Sequence, residues 1–421
     1  MPSASRQASL PAHLLSLAVS AALLSPAAHA EFIKDSSGTL TANNIYLNRD
    51  FREGTGQNKR EEWAQGFIFD IQSGYTEGTV GFGVDALGLL GIKLDSSPDR
   101  TGTGLLPTHD DGRAADEYSH LGLTGKMKIS ASELKIGTLM PELPTLKSND
   151  SRILPQTFEG GLLTSKEISN LTLLGGRIEE TKQRDSSDNE DLAINNKNRR
   201  FASAATADHI DLAGADYKFT DRITGRYHYA KLQDIYSQHF FGLAASQPLG
   251  AGVFAADMRL SVSNDQGSAN AGNVDNQALN GLFSYALSGH KVSLAYQRMY
   301  GDTGFAYVDG TDPFLVNFVQ INDFANAEER SWQARYDYDF SKVGVPGLSF
   351  LTRYISGSDA QISGSTETGD EWERDIELKY VVQSGPMKDL YVRLRNASFR
   401  SDFARNADEN RIVIGYSLAI W

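Results

Sequence analysis

Residues 253–263 read Val253-Phe254-Ala255-Ala256-Asp257-Met258-Arg259-Leu260-Ser261-Val262-Ser263. Phe254, Ala256, Met258, Leu260 and Val262 form one apolar row, and Asp257, Arg259, Ser261 and Ser263 alternate with it. Residues two apart share a side of an extended chain, whereas a helix would need apolar spacings of three and four. The segment is therefore a strand with one apolar and one polar face. The pattern recurs along the chain. Trp332, Ala334, Tyr336, Tyr338 and Phe340 alternate with Gln333, Arg335, Asp337 and Asp339. Leu121, Leu123 and Met127 oppose His120, Lys126 and Lys128, and Ile376, Leu378, Tyr380 and Val382 oppose Asp375, Glu377 and Lys379.

A soluble sandwich or β-helix also alternates, so the surroundings of these strands must decide. Aromatic residues gather at segment ends, as at Tyr227 and Tyr229 or Tyr296 and Tyr300, where a membrane barrel carries its interfacial girdles. The chain holds 39 Gly, 17 Tyr and 20 Phe, yet its mean hydropathy is −0.36. Aromatic without being hydrophobic overall is what a barrel with one lipid-facing side requires. The last segment, Arg411-Ile-Val-Ile-Gly-Tyr-Ser-Leu-Ala-Ile-Trp421, alternates to the end, although Trp421 is out of phase with Ile412, Ile414, Tyr416, Leu418 and Ile420. It reads as a closing strand with a terminal aromatic, the feature by which barrel-assembly machinery is engaged.

The ends and the composition narrow the class further. Arg6, the apolar stretch Leu14–Leu24 and the triplet Ala28-His29-Ala30 form a secretory signal, expected to be cleaved after Ala30. The stretch is too short for a membrane helix, which needs about 20 apolar residues. Residues 31–421 are expected to form one barrel domain, since no Pro- or Ser-rich linker divides them. At about 21 residues per strand plus connection they supply roughly eighteen antiparallel strands, an all-β transmembrane barrel. Cysteine is absent, so the fold is held without disulfides. Net charge is −13, becoming −14 without Arg6, which argues against a nucleic-acid partner. Residues 95–117, 179–209 and 301–331 are charged and Gly/Asp/Asn-rich, as extracellular loops are, while Phe219–Arg222 and Val343–Gly347 are short enough for periplasmic turns.

Three segments carry a resemblance to a known family: Asn48-Arg49-Asp50-Phe51-Arg52; Asn149-Asp150-Ser151-Arg152-Ile153-Leu154-Pro155-Gln156-Thr157-Phe158-Glu159-Gly160; and Asn322-Asp323-Phe324-Ala325-Asn326 with Glu328-Glu329-Arg330-Ser331-Trp332. They resemble signature segments of the OprD-type outer-membrane carboxylate channels, also called Occ channels, and they fall in the family's order across residues 31–421. The resemblance implies an eighteen-stranded barrel, a monomer or weak trimer, narrowed to an eyelet by inward-folded loops. It also implies a ladder of basic side chains that conducts small carboxylate solutes; no cofactor and no metal are expected. The length looks like the branch that favours aromatic or cyclic monocarboxylates such as benzoate-like acids. The other branch, for basic amino acids and peptides, is the alternative within the family.

Parity nominates the residues. Lys379, Arg393, Arg395 and Arg411 share one face, because Leu378, Tyr380, Val392, Leu394, Ile412 and Ile414 occupy the other, and Arg353 stands likewise against Phe350, Thr352 and Tyr354. A charge on the lipid face at the bilayer midplane costs about 2–4 kcal/mol, so these cations are expected to line the lumen. A plainer reading is that they neutralise lumen carboxylates such as Asp375 and Glu377; Arg393 and Arg395, however, have no acidic neighbour on their own strand. Arg49 and Arg52 end the first strand beside the closing strand, and Arg52 is the preferred pore residue of the two. Arg152 and Asp150 lie between Pro141 and Pro155 in the expected constriction loop. Asp323 is expected to oppose the ladder across the eyelet from the 301–331 loop, whose Phe305, Tyr307, Phe314, Phe318 and Phe324 suit a loop folded into the mouth. A catalytic role is not expected, as His209, His228 and His239 lack metal-ligand spacing and no Gly-x-Ser-x-Gly motif is present. A rim-active barrel hydrolase and a plugged structural barrel are the readings outside transport.

Overall fold

The structure, a computed structural model, describes residues 32–421. The expected signal, residues 1–30, lies outside the described residues. Among the described residues, eighteen long strands form the barrel wall, and the short strands Glu190–Ala193 and Thr206–Ala207 of one loop extend the same sheet. The first six are β1 Ser37–Phe51, β2 Lys59–Gln72, β3 Val80–Asp95, β4 Glu117–Ile129, β5 Ser132–Leu139 and β6 Thr157–Ser165. The next six are β7 Leu171–Lys182, β8 Ile210–Thr220, β9 Ile223–Leu232, β10 Tyr236–Leu249, β11 Gly252–Asp265 and β12 Asp275–Leu287. The last six are β13 His290–Tyr300, β14 Arg330–Asp339, β15 Leu348–Gln361, β16 Thr368–Val381, β17 Tyr391–Ser401 and β18 Ala407–Ala419. Each pairs antiparallel with its neighbours in sequence, and β1 pairs with β18 from Thr39–Ala419 to Phe51–Ala407, so the sheet closes into a barrel without an edge.

The alternation read in the sequence is the alternation of the wall. Leu121, Leu123, Met258, Leu294, Trp332, Leu378, Leu394, Ile412 and Ile414 are exposed on the outside, while Ser261, Ser263, Gln333 and Asp375 are buried on the inside. Tyr227 packs with Phe241, and Trp332, Tyr354 and Trp372 form a row, aromatic clusters of the outer face. The phase slip at the C-terminus also resolves. Gly38 accepts from the Ile420 N–H at 2.7 Å but donates to the Trp421 carbonyl at 3.3 Å. Two residues of the last strand thus oppose one of β1, a bulge that reverses the alternation. Trp421 thereby joins the outer face, edge-on to Phe69.

Long loops leave one end of the barrel and short turns the other, as the sequence predicted. Four of the long loops fold inward and bring apolar residues to cover parts of the inner wall. Leu105, Leu106, Ile153 and Leu154 pack on Ile45, Leu47, Ala64, Leu87 and Leu89. Leu146, Leu192, Ile194, Phe201, Ala306 and Val308 cover the wall of β5 to β10, and Phe305, Tyr307 and Leu315 cover Ala278 and Met299. The 140–156 loop lies so close to β2 that a Cβ on Gly66 would stand 2.4 Å from the Ile153 carbonyl oxygen. Only glycine admits the loop there.

Candidate pore and eyelet

β16 turns a row of four carboxylates inward: Glu371, Glu373, Asp375 and Glu377. The neighbouring strands set cations beside them. Lys379 faces Arg393 in register, Glu377 faces Arg395, and Arg395 faces Arg411. Arg393 and Arg395 stand two residues apart on β17, about 7 Å along the strand, so the cations form successive steps. Their charges are only partly matched. Arg393 and Arg395 share Glu377 at 3.4 and 3.2 Å. Lys379 lies over the Tyr391 ring at 4.8 Å and makes no ion pair among the described residues. Further toward the loops, Arg49 and Arg411 both hold Glu409, each at 2.5 Å. Two guanidiniums per carboxylate leave one positive charge in excess within each of these two groups.

Three loops narrow the lumen against this stripe. The 301–329 loop is tied to it. Arg411 donates to the Gln320 carbonyl at 3.1 Å, and the Gln320 amide donates to Glu409 at 3.0 Å. Glu373 accepts the N–H groups of Ile321 and Asn322, both at 2.9 Å. From the 140–156 loop, Arg152 donates to the Thr103 carbonyl at 2.9 Å and to the Ser151 carbonyl at 3.0 Å. Arg184, from the 183–209 loop, donates to the Ser151 hydroxyl at 2.8 Å. Burial, and then the like charges of Arg411 and Arg184, hold the Arg152 guanidinium well below its ordinary pKa. Burial also lowers the pKa of Arg184, with Arg411 adding to the effect. An anion entering among these groups would relieve their mutual repulsion.

Lys379, Arg393, Arg395 and Arg411 thus line the lumen where parity placed them, and Arg152 joins them from the constriction loop. Asp150 is exposed on that loop and forms no ion pair among the described residues. Three expectations change. Arg353 faces inward but is matched one to one by Asp375, at 2.7 Å, and adds no charge to spare. Arg52 points away from the pore: it pairs with Asp408, which Arg400 also holds, and these two share the strand face of the exposed Ile412 and Leu394. The reason lies in β1, where the apolar Ile45 and Leu47 face inward beneath the 140–156 loop, so that Arg49 and not Arg52 shares the lumen side.

Asp323 does not oppose the ladder. It is 1% exposed and takes two bonds from Arg200, at 2.7 and 2.6 Å, and one from the Tyr307 hydroxyl at 3.0 Å. Burial alone would raise its pKa, but Arg200 and Lys197 overcome that and hold the carboxyl well below the usual range. It braces the 183–209 loop against the 301–329 loop. Arg184, Gln320 and Glu409 were not singled out from the sequence; Arg184 lies in a stretch that reads as solvated loop, and only its contact with Ser151 reveals its place. Among the described residues, no group of three His, Asp or Glu is placed to hold a metal ion.

The comparisons agree with this architecture. The model of the outer membrane porin, OprD family, matches residues 30–420. Among solved structures, Pseudomonas aeruginosa OccK9 (OpdG) is 49% identical with a TM-score of 0.90, over 92% of this chain and 100% of that one. OccK5 (OpdH) of the same species is 54% identical with a TM-score of 0.84, over 93% and 99%. Pseudomonas aeruginosa OpdK, solved with vanillate, is 42% identical with a TM-score of 0.87, over 93% and 100%. Porins are channels, which sets the rim-active hydrolase aside and places the barrel in the bacterial outer membrane. With its closed eighteen-stranded wall and inward-folded loops, the chain belongs to the OprD family of outer-membrane porins.

Proposed function

We propose that this porin admits small carboxylates, aromatic or cyclic monocarboxylates foremost. The observation that carries the reading is the excess of cations on one wall. Arg393 and Arg395 share one carboxylate, Arg49 and Arg411 share another, and Lys379, Arg152 and Arg184 have no ion pair among the described residues. Successive weak sites of one sign let a solute be recognised and still leave, as flux requires. Apolar residues at the eyelet, such as Ile153 and Leu154, are packed into the wall, so a flat ring meets mainly the guanidinium planes. The vanillate in OpdK, an aromatic monocarboxylate, supports the same class.

The test is uptake into liposomes holding the chain without residues 1–30. Benzoate should enter faster than arginine and than a neutral sugar of similar size. Faster entry of arginine and lysine at every salt concentration would overturn the reading in favour of the family's basic-amino-acid branch.

A further inference from the structure

Lys182 ends β7 and is 0% exposed, among the largest side chains that the barrel buries completely. Its ammonium donates to the Gln183 carbonyl at 2.8 Å and, less closely, to those of Pro155 and Ser186, both at 3.4 Å. No carboxylate lies within ion-pair distance among the described residues, and Asp185 acts on it only from further off. Burying a lone ammonium costs several kcal/mol, and apolar residues of similar volume often stabilise such a position. Packing alone therefore does not account for a lysine here.

Its acceptors suggest what does. Pro155 stands three residues after Arg152, and Gln183 and Ser186 flank Arg184. One ammonium thus ties together the two loops whose guanidiniums form the free side of the eyelet. The third loop is drawn to the same point. Gln156 donates to the Asp309 carbonyl at 3.0 Å, and Gly310 follows with φ +78°, where a Cβ would stand 2.1 Å from the Gln183 side-chain oxygen. Lys182 also places a buried cation at the junction of these two loops, in a dry place where a field is weakly screened.

We infer that Lys182 is a positioning residue for anion selection, fixing Arg184 against Ser151 and Arg152 and adding its charge at the junction of their loops. The inference rests on the carboxylate reading above. It is tested with Lys182→Met and Lys182→Gln, folded into liposomes beside the parent chain, by the ratio of benzoate to neutral-sugar uptake. The methionine variant should lower that ratio roughly tenfold, about 1.4 kcal/mol, while sugar uptake holds or rises. Glutamine, which keeps a donor but no charge, should restore part of the loss. Combined with Arg184→Met, the methionine variant should add little further loss, because the two act as one unit.

A parent chain with no benzoate preference would overturn the functional reading itself. A parent that prefers benzoate, with a methionine variant of unchanged ratio or with losses that simply add to those of Arg184→Met, would overturn the role of Lys182 alone. Equal loss for both solutes, or failure of both variants to fold, would make Lys182 a structural residue and end the proposal.

Discussion

The two sides of this barrel use arginine in opposite ways. On β11 and β14, each inward arginine has its own carboxylate two residues away on the same strand. Arg259 pairs with Asp257 at 2.6 Å and lies over the Phe314 ring at 4.0 Å, and Arg335 pairs with Asp337 at 2.6 Å. On β17, β18 and β1, two arginines share each carboxylate: Arg393 and Arg395 share Glu377, and Arg49 and Arg411 share Glu409. Residue type, inward direction and strand geometry are the same on both sides. The number of carboxylates differs, and with it the charge left for a solute. A matched arginine holds the wall or a loop in shape, and on the proposed reading an unmatched one is left for the solute.

The strictest match is Arg200 with Asp323, and breaking it should have the largest effect. Removing one partner of a buried pair leaves an unpaired charge and costs about 3–5 kcal/mol. Asp323→Ala should therefore release the 301–329 loop, seen as faster amide exchange there and as higher conductance for neutral and anionic solutes alike. A loss confined to carboxylates would mean that Asp323 meets the solute after all. The pH dependence has a definite sign. The folded pKa of Asp323 is depressed, so the stabilisation is complete above the unfolded value and is lost only as pH falls through the folded one. Lowering the pH from neutral to about 4, the ordinary range of an aspartate, should leave the brace closed and the exchange rates of this loop unchanged.

Next in size is the unmatched pair itself. Replacing Arg393 and Arg395 together by Ala should leave a folded, heat-modifiable barrel, since the side chains line water. Benzoate uptake should fall roughly tenfold, a loss of about 1.4 kcal/mol, with sugar uptake nearly unchanged. Arg335→Ala, on the matched side, supplies the contrast, because it removes one charge of a neutral pair. Should Arg335→Ala depress benzoate as strongly as the double variant, the count of carboxylates would have no bearing on selection.

Much of this was legible in the sequence, because a strand writes its faces into alternate residues. The lumen positions of Lys379, Arg393, Arg395 and Arg411 follow from the apolar residues between them, and Arg393-Leu394-Arg395 against Asp257-Met258-Arg259 even shows which strand neutralises itself. The rule failed at β1 because it assumes that the apolar face meets lipid. There the inner face is roofed by the 140–156 loop, so Ile45 and Leu47 turn inward and Trp63 bonds the outward Asn44 at 2.8 Å. Asp323 and Arg184 were beyond reach for another reason. Their partners, Arg200 and Ser151, are distant in sequence and meet them only when two loops fold into one lumen.

A smaller effect sharpens the comparison from the acidic side. If Glu377 restrains Arg393 and Arg395, Glu377→Gln should free both guanidiniums and lengthen the dwell of a benzoate-like anion by roughly threefold, the scale of one partly solvated ion pair. Because a stickier site releases more slowly, flux at saturating benzoate should not rise with it. Single-channel recording separates dwell from flux. Shorter dwell in Glu377→Gln would mean that the carboxylate aligns the arginines for binding and does not mask them.

The smallest expected effect tests the side on which a charge stands. Arg52 and Arg49 are three residues apart at the same end of β1, and each is held by an acid of β18, Arg52 by Asp408 and Arg49 by Glu409. Their pairs differ in burial: the Arg52 side chain is 55% exposed, whereas Glu409 is 0% exposed. An exposed pair contributes about 0–1 kcal/mol and is screened within about 8–10 Å at physiological salt. It also stands outside the wall, so Arg52→Ala should change the benzoate-to-sugar ratio by less than about twofold. Arg49→Ala has the same formal charge but acts inside: it leaves Glu409 to Arg411 alone and removes the excess cation at the eyelet, so the ratio should fall several-fold. Raising the salt should shrink the Arg52 effect further and leave most of the Arg49 effect, since contacts in a narrow pore are less screened than those at the rim. Equal effects for the two variants, or a larger one for Arg52, would show that rim charge selects the solute before the ladder meets it.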